Sequence, residues 1–132
     1  MNKYIKEFLC LGKNLEPYDI YGYAFLKEVS LKILTDISES EVLILGGDVY
    51  YFEDEKLRSS GDNWYWKDNE KESYNENCIR SHKISYDYIK NYRSEDFIPY
   101  FVFVFDEPHE VDDPLGKLGI RGSGDPRSIG SK

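Results

Sequence analysis

Two short segments of the sequence carry residue types that could do chemistry, and the first is Gly46-Gly47-Asp48. A carboxylate on a glycine turn between two strands can hold a divalent cation for a metal-dependent enzyme. A second acidic strand end, which such a site needs, is missing, and Val49-Tyr50 follows the triplet. We therefore favour a structural role, in which Gly46 and Gly47 allow a bulge or a close backbone approach and Asp48 bonds to neighbouring backbone amides.

The second segment is Gly61-Asp62-Asn63 followed by Trp64-Tyr65-Trp66. Glycine beside Asp and Asn favours a turn, and the aromatic residues favour a strand. Alternate residues of a strand point to opposite faces, so the two tryptophans share one face and Tyr65 takes the other. We predict that Trp64 and Trp66 belong to the core, and that Tyr65 and Asp62 lie on the surface as contacts for a protein partner.

The remaining nucleophiles and bases form no catalytic pattern. His82 and His109 lack the spacing of metal ligands, and the two cysteines, Cys10 and Cys78, are far apart and form no CxxC pair. No Ser or Cys lies in a nucleophile elbow, and no glycine-rich phosphate loop precedes a helix. We therefore predict a protein that is not an enzyme and has no metal site and no cofactor.

Composition and charge narrow the class of partner. The 132 residues carry a net charge of −8, which disfavours nucleic acids and anionic membrane surfaces as partners. The 12 tyrosines suit half-buried sheets and protein interfaces. An acidic surface attracts a basic protein, although acidity alone can also serve only solubility. The short apolar stretch near the start and the unpaired cysteines lead us to expect a cytoplasmic location.

The elements that must position these residues follow from hydrophobic periodicity. An apolar stripe predicts a helix over 20–37 that begins at Asp19, and Ser73 with Glu76 forms a capping box for a second helix over 73–92. Residues 2–12 are ambiguous between a short helix and a strand. Strands are predicted over 42–52, 56–60, 63–67 and 99–106. The short connections make the sheet antiparallel, so the fold class is α+β, with four to five strands packed by two long helices.

The composition divides the chain into one domain over residues 1–113 and a tail over 114–132. The tail is rich in Gly, Ser and Arg and is flexible by composition. It could be an expression remnant or a read-through extension, so it plays no part in the prediction of the fold.

The ordered set of segments resembles the immunity proteins of bacterial polymorphic-toxin systems, in particular the Imm40 family. The resemblance covers about residues 20–106. It is carried by a helix that ends near Ile37, the run from Val42 to Tyr50, the segment Asp62–Tyr65, and a long helix that starts at Ser73-Tyr74, contains Arg80-Ser81 and ends at Tyr88-Ile89.

The resemblance implies a small α+β protein that binds and blocks a cognate toxin. An acidic inhibitor would be steered onto the nucleic-acid site of a basic nuclease toxin, which is one class of partner that we expect. A regulatory or adaptor domain without a toxin remains the alternative. The predicted partner-binding residues are Asp48, Tyr50, Asp62, Asn63 and Tyr65, and the predicted structural residues are Gly46, Gly47, Trp64 and Trp66.

Overall fold

The computed structural model describes residues 3–106, and their arrangement confirms the α+β class. A 3₁₀ segment, Lys3–Leu11, precedes the first strand, and a 3₁₀ turn, Glu16–Tyr18, follows it. The strands are β1 (Lys13–Asn14), β2 (Tyr23–Leu26), β3 (Ile44–Glu53), β4 (Lys56–Tyr65) and β5 (Tyr100–Phe105), and the helices are α1 (Lys27–Asp36) and α2 (Tyr74–Asn91). The predicted tail over 114–132 lies outside the described residues.

The five strands form one antiparallel sheet in the order β1-β2-β5-β3-β4. The last strand in sequence, β5, lies at the centre, with Phe101 paired to Phe25 on one side and to Val49 on the other. This placement agrees with its six-residue apolar run, because a central strand is hydrogen-bonded on both edges and is well covered along much of its length. The strand predicted over 42–52 is also confirmed as β3.

The helix predicted over 20–37 is wrong in its first third. Residues Tyr23–Leu26 form β2 instead, and α1 begins only at Lys27. Asp19 does not cap this helix, because it ends the preceding 3₁₀ turn in the left-handed conformation with φ 65°. The edge of β5 needs a hydrogen-bonding partner, and that tertiary pairing overrides the helical spacing of the apolar residues.

The two strands predicted over 56–60 and 63–67 are one continuous strand, β4. The turn residues Gly61 and Asp62 lie in a bulge, where the chain between Ser59 and Asn63 passes Val49 of β3. Gly61 has φ 85°, and the Ser60 hydroxyl donates a 2.7 Å hydrogen bond to the carbonyl of Val49. The turn chemistry therefore appears inside a strand, where it bends the strand without ending it.

The helices cover only one face of the sheet, which we call the helix-covered face. Its main cluster of buried apolar residues joins α1 and α2 to the sheet through Leu34, Ile44, Val49, Trp64, Ile89 and Phe101. The opposite face, which we call the open face, is partly covered by the segment between β1 and β2. That segment packs Leu15 against Ala24 and Val102. Among the described residues, no helix is both long and apolar enough to cross a membrane.

Candidate functional site

Two glycines of β3 let the sheet pack tightly around Trp64. A Cβ on Gly47 would overlap the Trp64 indole and the Val102 carbonyl oxygen, and a Cβ on Gly46 would overlap the Trp64 carbonyl oxygen. Gly46 also has φ 150°, next to a bulge between Ile44 and Gly46 in the pairing with β5. These close approaches and this bulge are the structural role that the glycine pair suggests.

Trp64 occupies the centre of the helix-covered face. It is 6% exposed, and its ring stacks on Tyr88 of α2 with 5.0 Å between centroids. The indole N–H donates a 2.9 Å hydrogen bond to the Ser85 hydroxyl. Trp66 is half-buried and donates a 3.2 Å bond to Asn77 Oδ1, so both tryptophans tie the end of β4 to α2.

The buried stripe of α2 is polar as well as apolar. Ser81 accepts a 3.1 Å bond from the backbone N–H of Ile44, and the Ser85 hydroxyl donates to the Ser81 carbonyl at 2.9 Å. His82 Nε2 lies 3.1 Å from the Val42 carbonyl oxygen, while its buried Nδ1 has no hydrogen-bond partner. Burial lowers the pKa of His82 and so favours the neutral ring, and the tautomer with the proton on Nε2 would donate to the Val42 carbonyl.

Four of the five residues predicted to bind a partner lie together on the open face. The pairings Asp48 with Asn63, Asp48 with Val102 and Tyr50 with Tyr100 place Asp48, Tyr50 and Asn63 on the face opposite Trp64. Tyr65 pairs with Gly46 on the same face and is 73% exposed. A contiguous surface therefore runs over β3 and β4.

The fifth predicted residue, Asp62, does not belong to this surface. Its carboxylate accepts a 2.7 Å hydrogen bond from the Tyr92 hydroxyl at the end of α2, so it points toward the helices. Burial and this bond raise the pKa of Tyr92 to about 12. The bulge in β4 separates Asp62 from Asn63, which faces the opposite way.

The Asp48 carboxylate has an unusual environment for an acidic side chain. It is half-buried on the open face, and burial raises its pKa. Within residues 3–106 it makes no side-chain hydrogen bond and no ion pair, so the expected bonds to backbone amides are not formed. Burial and the nearby Asp48 charge also raise the pKa of Tyr50. A partly desolvated carboxylate without a partner favours an incoming cation or hydrogen-bond donor.

A cleft of about 280 Å³ opens beside Asp48. Its floor is β5, with Val102 and Val104, and its far wall is the segment Ile20–Tyr23. Val104 is 44% exposed and Tyr21 is 75% exposed, so apolar surface reaches the solvent on both sides of the cleft. Sequence reasoning missed these residues, because Val104 was assigned to a buried strand and Tyr21 to a helix.

The chemistry available on the open face is that of recognition. Among residues 3–106, no group of three or more His, Cys, Asp or Glu side chains lies close enough together to hold a metal ion. Asp48 is therefore not part of such a group within these residues. The surface combines exposed aromatic rings, apolar side chains and a carboxylate, which is the mixture found at protein interfaces. These features define a small α+β protein with one open sheet face.

Comparison with known proteins gives the family. The sequence profile of the family described as Immunity protein 40 matches residues 14–105, and the chain belongs to this family. The match includes Asn14 of β1 and all of β2 to β5, and with them most of the open face and most of its cleft. No curated protein and no solved structure matches the chain.

Proposed function

We propose that the protein neutralises a cognate toxin by binding it through the open face and occluding its active site. Membership of the Immunity protein 40 family supports a role in toxin neutralisation. The observation that carries the choice of surface is Asp48, a half-buried carboxylate without a partner among residues 3–106, surrounded by exposed aromatic and apolar side chains. A free protein retains such a group at a cost in stability, which favours a use for it in a complex.

The charge of the protein supports electrostatic steering toward a basic toxin. The net charge is −8, and the acidic residues of the β3–β4 hairpin tip, Glu53 to Glu55, are exposed. Such a field raises the association rate with a positively charged partner and loses strength as salt screens it. A nuclease toxin, whose substrate is a polyanion, would present a basic active site to this surface.

The test starts with the toxin gene expected directly upstream of the gene for this protein. The toxin domain is purified, its activity is measured with and without the immunity protein, and the dissociation constant is measured by calorimetry. We expect stoichiometric inhibition together with a stable complex. A neighbouring toxin that keeps full activity and forms no complex would overturn the proposal and favour an adaptor role.

The choice of surface is tested with Tyr65→Ala. Loss of an exposed aromatic anchor is expected to weaken toxin binding by about 2 kcal/mol, roughly thirtyfold, with little change in the unfolding midpoint. Tyr74→Ala, at a half-exposed tyrosine on α2, is the matched control and should leave binding unchanged. Wild-type affinity in Tyr65→Ala would move the interface elsewhere while leaving the immunity function intact.

The steering component is tested by the salt dependence of the association rate. We expect the rate constant to fall as ionic strength rises, with the dissociation rate changing much less. Stopped-flow mixing with the toxin between low and physiological salt provides the measurement. An association rate that does not depend on salt would rule out steering.

A further inference from the structure

The cleft on the open face is small for a ligand pocket but has room for one long side chain. Its volume of about 280 Å³ falls just below the range of about 300–1,000 Å³ that is typical of pockets for small-molecule ligands. It is bounded by Ile20 and Tyr23 on one side and by Val102 and Val104 on β5. These walls are apolar along most of the cleft, so the occupant must bring an apolar portion.

One part of the cleft lining is chemically different from the rest. Asp48 and Tyr50 contribute to it, and no described cation pairs with the Asp48 carboxylate. The four ion pairs among residues 3–106 involve other acidic residues, namely Asp36, Glu53, Glu72 and Asp87. A carboxylate in a largely apolar cleft favours an occupant that carries positive charge.

A neighbouring depression extends the negative character of the rim. It shares the segment Ile20–Tyr23 with the cleft and is bounded on its other side by Glu16 and Asp19. Gly22, in the shared segment, adds no side chain of its own between the two depressions. The cleft is therefore bordered by further acidic residues, which attract a cationic side chain.

We propose that the cleft receives one lysine or arginine side chain of the protein partner, with its methylene stem against Val102 and Val104 and its charged end on the Asp48 carboxylate. Long cationic side chains have this division into an apolar stem and a charged end. The adjacent Tyr50 ring offers a cation a second favourable contact. The inference rests on the proposed function for the identity of the partner, whereas the preference of the cleft for a cation can be tested without the toxin.

The experiment uses the full chain and two small probes, n-butylguanidinium and n-butanol, followed by methyl and amide NMR. We expect butylguanidinium to shift the Val102 and Val104 methyl resonances and the Gly22 amide, with a dissociation constant on the order of 1 mM. Asp48→Asn should weaken its binding by roughly tenfold or more, because a charge-assisted bond is lost. Asp87→Asn removes the same charge from α2 and should leave the titration unchanged.

Two results would overturn the inference. One is equal binding of butanol and butylguanidinium, which would make the cleft a site for an apolar side chain. The other is equal binding of butylguanidinium to wild type and Asp48→Asn. Since no toxin is present in this titration, its failure is distinct from the failure of the immunity function, which would show as the absence of a toxin complex.

The same two variants test whether the cleft is used in the complex with the toxin. Asp48→Asn is expected to weaken toxin binding by roughly tenfold or more, and Asp87→Asn by less than about twofold. Toxin binding that falls in Tyr65→Ala but not in Asp48→Asn would keep the open face as the interface and reject the cationic occupant of the cleft.

Discussion

The two faces of the sheet are built from the same strands, but they differ in whether their partly or fully buried polar groups have hydrogen-bond partners. On the helix-covered face, Trp64 donates to Ser85, Ser81 accepts from Ile44, and each buried serine hydroxyl is paired. On the open face, the Asp48 carboxylate is half-buried and has no hydrogen-bond partner among the described residues. The contrast shows that the polar groups buried under the helices are satisfied by packing, whereas the open face carries a carboxylate that no described residue satisfies.

Strand alternation is what allows the two faces to differ so sharply. Along β3, Gly47 and Val49 contact the helix-covered core, and Asp48 between them faces the open side. Along β4, Trp64 is buried and Tyr65 is exposed. Because neighbouring residues serve different faces, substitutions one position apart should separate stability from binding.

Trp64→Ala is expected to have the largest effect on stability. It removes the indole from its contacts with Tyr88, Phe101 and Phe103, leaves a cavity, and takes away the N–H bond that the Ser85 hydroxyl accepts. The free energy of unfolding should fall by about 3–5 kcal/mol, as measured by urea denaturation. Tyr65→Ala, the neighbouring open-face variant, is the control. A similar loss in both variants would contradict the division between the faces.

Gly47→Ala should have the second-largest effect on stability, and it acts by overpacking the core where Trp64→Ala creates a cavity. The new Cβ would press on the Trp64 indole, with Cζ2 only 2.7 Å away, and would also meet the Val102 carbonyl. The expected loss of unfolding free energy is about 1–3 kcal/mol. In the double variant with Trp64→Ala part of the clash disappears, so the total should be less than the sum of the single effects. Strict additivity would show that the indole is not the group that excludes a side chain at this position.

The buried histidine should make stability depend on pH. Burial lowers the pKa of His82 from its usual 6.5, so below about pH 6.5 the unfolded chain binds a proton that the folded chain does not. The contribution of the neutral His82 ring to the free energy of unfolding is therefore complete above pH 6.5. It is lost as the pH falls toward the lower pKa of the folded state. Urea denaturation between pH 7.5 and 5 should show this decline in wild type and a shallower one in His82→Gln. If the free energy of unfolding changed with pH in the same way in both proteins, the pH dependence would have to come from groups other than His82.

Asp48→Asn should have the smallest effect on stability and the opposite sign. Burial raises the pKa of the Asp48 carboxyl above its usual 3.8, so the folded chain binds the proton more tightly than the unfolded chain. Stability from this group is present at low pH and is lost as the pH rises through the folded pKa, which leaves an ionised group that disfavours folding at pH 7. The variant should be as stable as wild type or slightly more stable. The change in the free energy of unfolding should be at most about 0.5 kcal/mol, as is typical of surface substitutions.

The comparison that sharpens this prediction is with Asp87→Asn on α2, which loses an exposed ion pair with Lys83. Thermal melting at pH 7 should rank Asp48→Asn at or above wild type and Asp87→Asn at or slightly below it. A clear loss of stability in Asp48→Asn would mean that the carboxylate already has a stabilising partner in the free protein.

The sequence by itself determined the elements whose signals are local or strongly apolar. Ser73 and Glu76 form the predicted capping box at the start of α2, with bonds of 3.1 and 2.8 Å, because both partners lie within one helical turn. The apolar run of β5 predicts a strand over 99–106, because aromatic and β-branched residues favour the pleated conformation. The alternation of Trp64 and Tyr65 likewise follows from strand geometry alone.

Only the tertiary structure decided the features that depend on what lies opposite a residue. The apolar spacing at Tyr23–Leu26 fits a helix, but the free edge of β5 turns it into β2. The turn residues at Gly61-Asp62 become a bulge because β3 pairs on both sides of them, and that bulge sends Asp62 to Tyr92 and away from the open face.

The tertiary structure also decided which polar side chains on and beside the sheet have partners. Ser81 and Ser85 are fully buried because hydrogen-bond partners on the sheet and within α2 satisfy them, which no hydrophobic pattern predicts. Asp48 has no ion pair within residues 3–106, because no described cation reaches its carboxylate. A residue type states which bonds a side chain can make, and only the assembled sheet decides which of them are left for a partner.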